Sequence, residues 1–222
     1  MHRYRENRFF LVRHGEAEHN VKQALACMPE GKHPPRLTAR GKEQVAAVAE
    51  RLKKEKVNLI ISSPNRRAQE TAKAIARATK AKVVVDKRLR EIDFGTFNGG
   101  AESRYQAFFL DFGERFSKRP PGGEHWVDVR RRMVEAISEI DQQVTGKRIA
   151  IVSHGDPLWL LDGAARGVSD SAAGEVPYVE IGECRELKFP NWPFCRDGQV
   201  DFHRPYVDQV FLSCPECGGR MR

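Results

Sequence analysis

No apolar run in these 222 residues approaches the roughly 18 that a membrane-spanning helix needs, and Met1 to Arg8 is polar where a secretory signal would be apolar. Both absences point to a cytoplasmic protein with no membrane partner. Cysteine is sparse: the five residues are scattered except for Cys214 and Cys217, which makes no disulfide framework and agrees with a reducing compartment. With only 12 prolines and 18 glycines against 40% apolar and 31% charged residues, neither a fibrous nor a largely disordered class fits. Three motifs are missing as well. The chain has no GxGxxG after a strand, no GxxxxGK followed by Ser or Thr, and no GxSxG, so dinucleotide, P-loop and serine-hydrolase readings fall away. Positive charge is in excess: the formal +8 is spread in small groups such as Arg3, Arg5 and Arg8, or Arg130 to Arg132. Spread charge is that of a solvated surface, and it also draws in anionic small molecules.

The length suits one domain of ordinary size with an appendage. The stretch that organises it is Phe9 to Asn20, FFLVRHGEAEHN. Phe9 to Val12 reads as a strand buried on both faces, and it ends abruptly in Arg13-His14-Gly15. A loop over 21–36 follows, then a helix over 41–54 capped by Thr38, and a second buried strand, VNLIIS at 57–62, leads through Ser63-Pro64 into a helix that runs to Ala78. Lys82 to Asp86 is a third short strand and 89–100 a loop. The aromatics Tyr105, Phe108, Phe109, Phe112 and Phe116 are spaced as one face of a helix packed on the core. The clearest amphipathic helix covers 124–144, with Trp126, Val129, Met133, Ile137 and Ile140 in one stripe. The fourth strand, RIAIVS at 148–153, again ends in a histidine, His154. Strands alternating with helices from residue 9 to about 165 predict a three-layer α/β domain with a mostly parallel central sheet. In such a sheet the carboxyl ends of the strands share one edge, where ligands collect, so Arg13, His14 and His154 are expected to meet there.

These pieces carry a family resemblance. RHGEAEHN resembles the RHGExxxN signature of the histidine phosphatase superfamily, the phosphoglycerate-mutase-like proteins. SSPNRRAQETA at 62–72 resembles its SSPLxRAxxTA stretch, with Asn65 in place of the usual leucine. LREIDFG at 89–95, GGE at 122–124 and IVSHGD at 151–156 resemble three further family segments, with His125 where the family's PGGES turn has serine. The resemblance covers roughly residues 8 to 165. It implies a phosphohistidine at His14, phosphate held by Arg13, Asn20 and Arg67, a carboxyl acid at Glu91 and a second histidine at His154. Asp93 is the rival acid if the register is misread, and Glu16 completes the first motif. The chemistry suits these residue types: a nucleophilic imidazole needs its other nitrogen held, planar arginine forks grip two phosphoryl oxygens, and one carboxyl can serve as acid and then as base. No cofactor is implied for the phosphoryl transfer. The substrate implied is a small phosphorylated molecule, and the product of the transfer is either free phosphate or, in a mutase, a new ester. The short segment between Glu91 and Gly122 favours a phosphatase over a mutase.

From Val176 the β/α alternation stops, so the domain is expected to span 1–175 with an irregular extension over 176–222. The end of that extension, VDFHRPYVDQV at 200–210 followed by CPECGG at 214–219, resembles a segment of class I isoleucyl-tRNA synthetases. It implies a parent isoleucine-tRNA ligase and tRNA as a partner, and leaves as a rival reading a non-catalytic accessory module of such an enzyme. Cys214 and Cys217 have the spacing of half a zinc knuckle; a closed structural zinc site in the tail needs four ligands, so two more would have to come from elsewhere.

Overall fold

The computed structural model describes residues 7–27 and 34–188. Five strands, β1 (Arg8–Arg13), β2 (Leu59–Ser62), β3 (Lys82–Val85), β4 (Arg148–Ser153) and β5 (Cys184–Leu187), form one sheet in the order β3-β2-β4-β1-β5. The first four run parallel and β5 lies antiparallel to β1. The helices are α1 (Glu18–Val21), α2 (Ala39–Lys54), α3 (Arg66–Thr79), α4 (Glu102–Gln106), α5 (Glu114–Ser117), α6 (Trp126–Gln143) and α7 (Gly155–Arg166).

The apolar run at the start of the chain is buried on two faces because alternate side chains serve two cores. Phe9 and Leu11 join Ile149, Ile151 and Ile61 in one cluster with α6 and α7, while Phe10 and Val12 join Ala150, Val152 and Ile60 in the other with α2 and α3. Helices therefore cover both sides of the sheet, giving the three-layer α/β architecture expected. Thr38 caps α2 by accepting from the Gly41 N–H at 3.0 Å. His125 caps α6 in the same way: its ring nitrogen accepts from the Asp128 N–H at 3.2 Å while Asp128 accepts from the His125 N–H at 3.2 Å. Among the described residues no helix is long and apolar enough to cross a membrane.

Two expectations need correction. The aromatic segment is not one helix but α4 and α5 with an irregular stretch between, because Asp111 and Glu114 bond backbone N–H groups that a continuous helix would have used (Glu114 N to Asp111 Oδ1, 3.0 Å; Leu110 N to Glu114 Oε2, 2.8 Å). Tyr105, Phe109 and Phe116 still pack inward, with edge-to-face contacts between Phe94 and Tyr105 and between Phe116 and Trp126, whereas Phe112 stays exposed while touching Trp126. The second correction concerns the boundary at 175. Val176, Val179 and Leu187 are buried in the same core as Phe9 and Leu11, and β5 closes the sheet beside β1. The described part of the domain therefore continues to Lys188. The zinc and synthetase readings fall on 189–222, with Cys214 and Cys217, and lie outside the described residues.

Candidate active site

Strand register brings the expected groups together. Arg13 at the end of β1 pairs with Ser153 at the end of β4, and Ser62 at the end of β2 with Val152, so the residues that follow the three strands meet above one edge of the sheet. The His14 and His154 rings lie 5.1 Å apart, edge to face. The loop after β1 can lie this low because two glycines let backbone touch backbone: a Cβ on Gly15 would fall 2.4 Å from the Gly41 carbonyl oxygen.

His14 is 1% exposed. Its Nδ1 lies 2.8 Å from the Gly15 carbonyl oxygen, which can only accept, so the ring proton sits on Nδ1 and Nε2 keeps its lone pair. Arg67 Nε donates to that lone pair at 3.0 Å, which agrees with the same tautomer. Burial, reinforced by the Arg67 charge, holds the imidazole well below its usual range and leaves it neutral. Arg67 is itself 1% exposed, and burial pulls it down to about 10 against the pull of Glu91, so it keeps its charge at neutral pH. Its Nη2 donates to the Ala26 carbonyl oxygen and to His154 Nδ1, both at 2.9 Å, and lies 3.6 Å from Glu91 Oε2.

The second histidine is fixed by a chain of hydrogen bonds that starts at the unusual Asn65. The Asn65 amide donates to the Cys27 carbonyl oxygen at 2.9 Å, which turns its own oxygen towards Ser63. Ser63 Oγ gives its proton to Asn65 Oδ1 at 2.9 Å and must then accept from His154 Nε2 at 2.8 Å. His154 Nδ1 is left as the acceptor facing Arg67, with Glu91 Oε2 3.5 Å away.

Glu91, not Asp93, faces this cluster. Asp93 serves its own turn, accepting from the Gly95 N–H at 2.9 Å. The Glu91 carboxyl is pushed up to about 7, chiefly by burial, against the attraction of Arg67. Its backbone is held by Arg132, which donates to the carbonyl oxygens of Arg90 and Glu91 at 2.8 and 3.2 Å and pairs with Glu124. Arg13 donates through Nη1 to the Val179 carbonyl oxygen at 2.8 Å and lies over the Tyr178 ring, while its buried Nε has no hydrogen-bond partner among the described residues. Asn20 spends its side-chain oxygen on the Ala17 N–H at 3.0 Å and lines the cavity in front of the cluster. Glu16 stays out of the cluster: it accepts from the Thr38 hydroxyl at 2.7 Å and ties the loop to α2. The cavity has a volume of about 270 Å³, and its walls include Glu91, Tyr105, Arg115, Asp156 and Tyr178. Ser63, Arg132 and Tyr178 were not singled out by sequence reasoning. Ser63 lay in view inside a quoted motif, whereas Arg132 and Tyr178 carry no local signal.

A family model described as histidine phosphatase superfamily, branch 1, matches residues 9–189. The chain belongs to the histidine phosphatase superfamily. Among relatives in the superfamily, a probable phosphoglycerate mutase of Proteus mirabilis is 34% identical over 203 residues, which are 87% of this chain and 84% of that one. A mycobacterial glucosyl-3-phosphoglycerate phosphatase, solved with VO3, superposes with a TM-score of 0.71 at 27% identity over 81% of this chain and 90% of its own. The alpha-ribazole phosphatase of Shigella flexneri gives a TM-score of 0.67 at 25% identity over 81% and 89%. The superfamily match ends at residue 189 and does not reach the part of the tail that resembles a synthetase.

Proposed function

We propose that the chain hydrolyses a phosphate monoester of a small molecule through a phosphohistidine at His14. The observation that carries this reading is the fixed tautomer of His14: Nδ1 is committed to the Gly15 carbonyl and Nε2 presents its lone pair to a buried arginine. In the proposed cycle the ester phosphate displaces Arg67 Nε from that lone pair, and Arg13 and Arg67 take the phosphoryl oxygens. Nε2 attacks phosphorus, the ester P–O bond breaks, and the Glu91 carboxyl gives its proton to the leaving oxygen. A water then attacks the phosphorus of phosphohistidine, the N–P bond breaks, and the Glu91 carboxylate takes the proton of that water. His154 Nδ1 accepts from Arg67 at 2.9 Å and so holds that guanidinium, whose charge gains most as charge develops on the phosphoryl oxygens in the transition state. Every step runs through side chains of this chain.

A mutase would share the first half of this cycle and differ in the acceptor. The test is therefore a panel of phosphate monoesters, including phosphoglycerates, assayed both for released inorganic phosphate and for isomerised ester. Release of phosphate with no isomer supports a hydrolase; isomer formed faster than phosphate supports a mutase; inactivity across the panel leaves only the non-catalytic module. The synthetase parent and its tRNA partner, like a zinc on Cys214 and Cys217, rest on the tail sequence alone.

Glu91→Gln should lower kcat by roughly 100-fold or more, because a positioned acid contributes on that order. Inorganic phosphate should bind as well or more tightly, since a carboxylate beside the anion is gone. The sign of the pH dependence follows from the raised carboxyl: the proton-bearing form is lost as pH rises through about 7, so kcat/KM should fall above that pH. The Gln variant should lack this descending limb. A fall in phosphate affinity at unchanged kcat would make Glu91 a binding residue.

A further inference from the structure

The short helix α1 that follows the nucleophile's loop carries another histidine that the cycle above leaves idle. His19 precedes Asn20, at a position the RHGExxxN pattern leaves open. Its ring lies 5.7 Å from that of His14 and forms part of the cavity wall. Its Nδ1 is buried without a hydrogen-bond partner among the described residues, and the one other buried side-chain atom of which this holds there is Arg13 Nε. A buried polar atom left unpaired costs about 1–3 kcal/mol, and folds keep such atoms chiefly where a ligand or an ordered water completes them. Here two of them belong to residues lining one cavity, beside the nucleophile. The cavity wall carries Glu91, Glu102 and Asp156 as well as Arg13 and Arg115, but the charges acting on His19 are those of Arg67 and Arg13, so the guest that suits both unpaired atoms is an oxyanion.

We propose that His19 is a phosphoryl-binding residue, whose ring N–H donates to a non-bridging oxygen of the ester phosphate alongside Arg13 Nε. The inference rests on the phosphohydrolase reading and adds a ligand to it. The geometry allows it: a ring centred 5.7 Å from that of His14 can bring a nitrogen to about 2.7–3.0 Å from an oxygen on phosphorus seated at His14 Nε2. A neutral donor also fits the place, because Arg13 and Arg67 already supply cations that would repel another. Burial and those two arginines hold the imidazole down to about 3, so it meets the substrate uncharged with one N–H to give.

The test compares the whole chain with His19→Phe, which keeps the bulk and removes the donor, and His19→Gln, which restores one. Inorganic phosphate binding is followed by calorimetry, and vanadate inhibition by hydrolysis of p-nitrophenyl phosphate. His19→Phe is expected to weaken both by about tenfold at an unchanged melting temperature, and His19→Gln to recover most of the loss. In the unaltered protein, saturating phosphate should shift the ring-nitrogen NMR signals of His19 as well as those of His14, which decides the matter even if a variant does not fold. Phosphate affinity in His19→Phe equal to that of the parent, or His19 signals that do not move, would overturn the inference while the hydrolase reading stands. A parent that neither binds phosphate nor hydrolyses any ester would bring down both.

Discussion

His14→Ala should abolish phosphate-ester turnover, by on the order of 10⁴-fold or more, and should leave no acid-labile phosphoenzyme to trap. The size of the effect comes from the mechanism: without the Nε2 lone pair no covalent intermediate forms, and the remaining cations can only hold the ester in front of water. Inorganic phosphate should still bind, because Arg13 and Arg67 stay. The fold should survive too. The imidazole lies above the sheet edge rather than within either apolar cluster, and its removal leaves Arg67 Nε and the Gly15 carbonyl without that partner. Each buried group left unpaired there costs about 1–3 kcal/mol, less where a water takes the place of the ring. The measurements are steady-state hydrolysis, phosphoenzyme trapping by rapid quench under alkaline conditions, and a thermal melt. Full activity in the variant would sink the phosphohistidine mechanism, whatever the geometry around it.

The parts of this site that could be read from the chain are those where local pattern and position agree. Phe9 to Val12 is apolar at every residue because both faces of β1 are covered, and the abrupt change to Arg13-His14 marks where cover ends. The same logic at Ser153-His154 locates the partner histidine. The distinction between Glu91 and Asp93 needed the structure, since both lie in one loop and only the turn at Gly95, which takes Asp93 for its own N–H, tells which carboxyl is free for the cluster. His19 escaped because a motif treats its open positions as blank, and a histidine there has no periodicity to betray its burial. Asn65 was visible as a departure, yet its role depends on contacts with Cys27 and Ser63 that no spacing rule encodes. β5 was missed for a different reason. Only Cys184 and Leu187 of its four residues are buried, so it shows neither the continuous apolar run of a central strand nor a clean alternation, and the polar loop before it suggests an ending.

That missed strand sets the expectation for shortening the chain. A chain ending at residue 174 should lose both its cooperative melt and its turnover, whereas one ending at Lys188 should keep both. Removing 175–188 takes Val176, Val179, Cys184 and Leu187 out of the core, and at about 1.5–3 kcal/mol per buried apolar side chain the loss is roughly 6 kcal/mol or more, comparable with the whole stability of an ordinary domain. It also strips the hydrogen-bonding edge from β1, leaving Phe9 to Val12 with an open flank. The site suffers directly. The Val179 carbonyl oxygen anchors the Arg13 guanidinium at 2.8 Å, the Gly182 N–H donates to the His14 carbonyl oxygen at 3.1 Å, and the Arg13 N–H donates to Glu183 at 3.1 Å. Tyr178 packs under Arg13 and donates to Asp156 at 2.6 Å. Even a shortened chain that managed to fold would therefore hold the nucleophile and its first arginine loosely, and turnover should fall further than stability alone explains. Intact melting and full activity in the chain ending at 174 would show that β5 is an accessory to the sheet and that Arg13 and His14 are positioned by β4 alone.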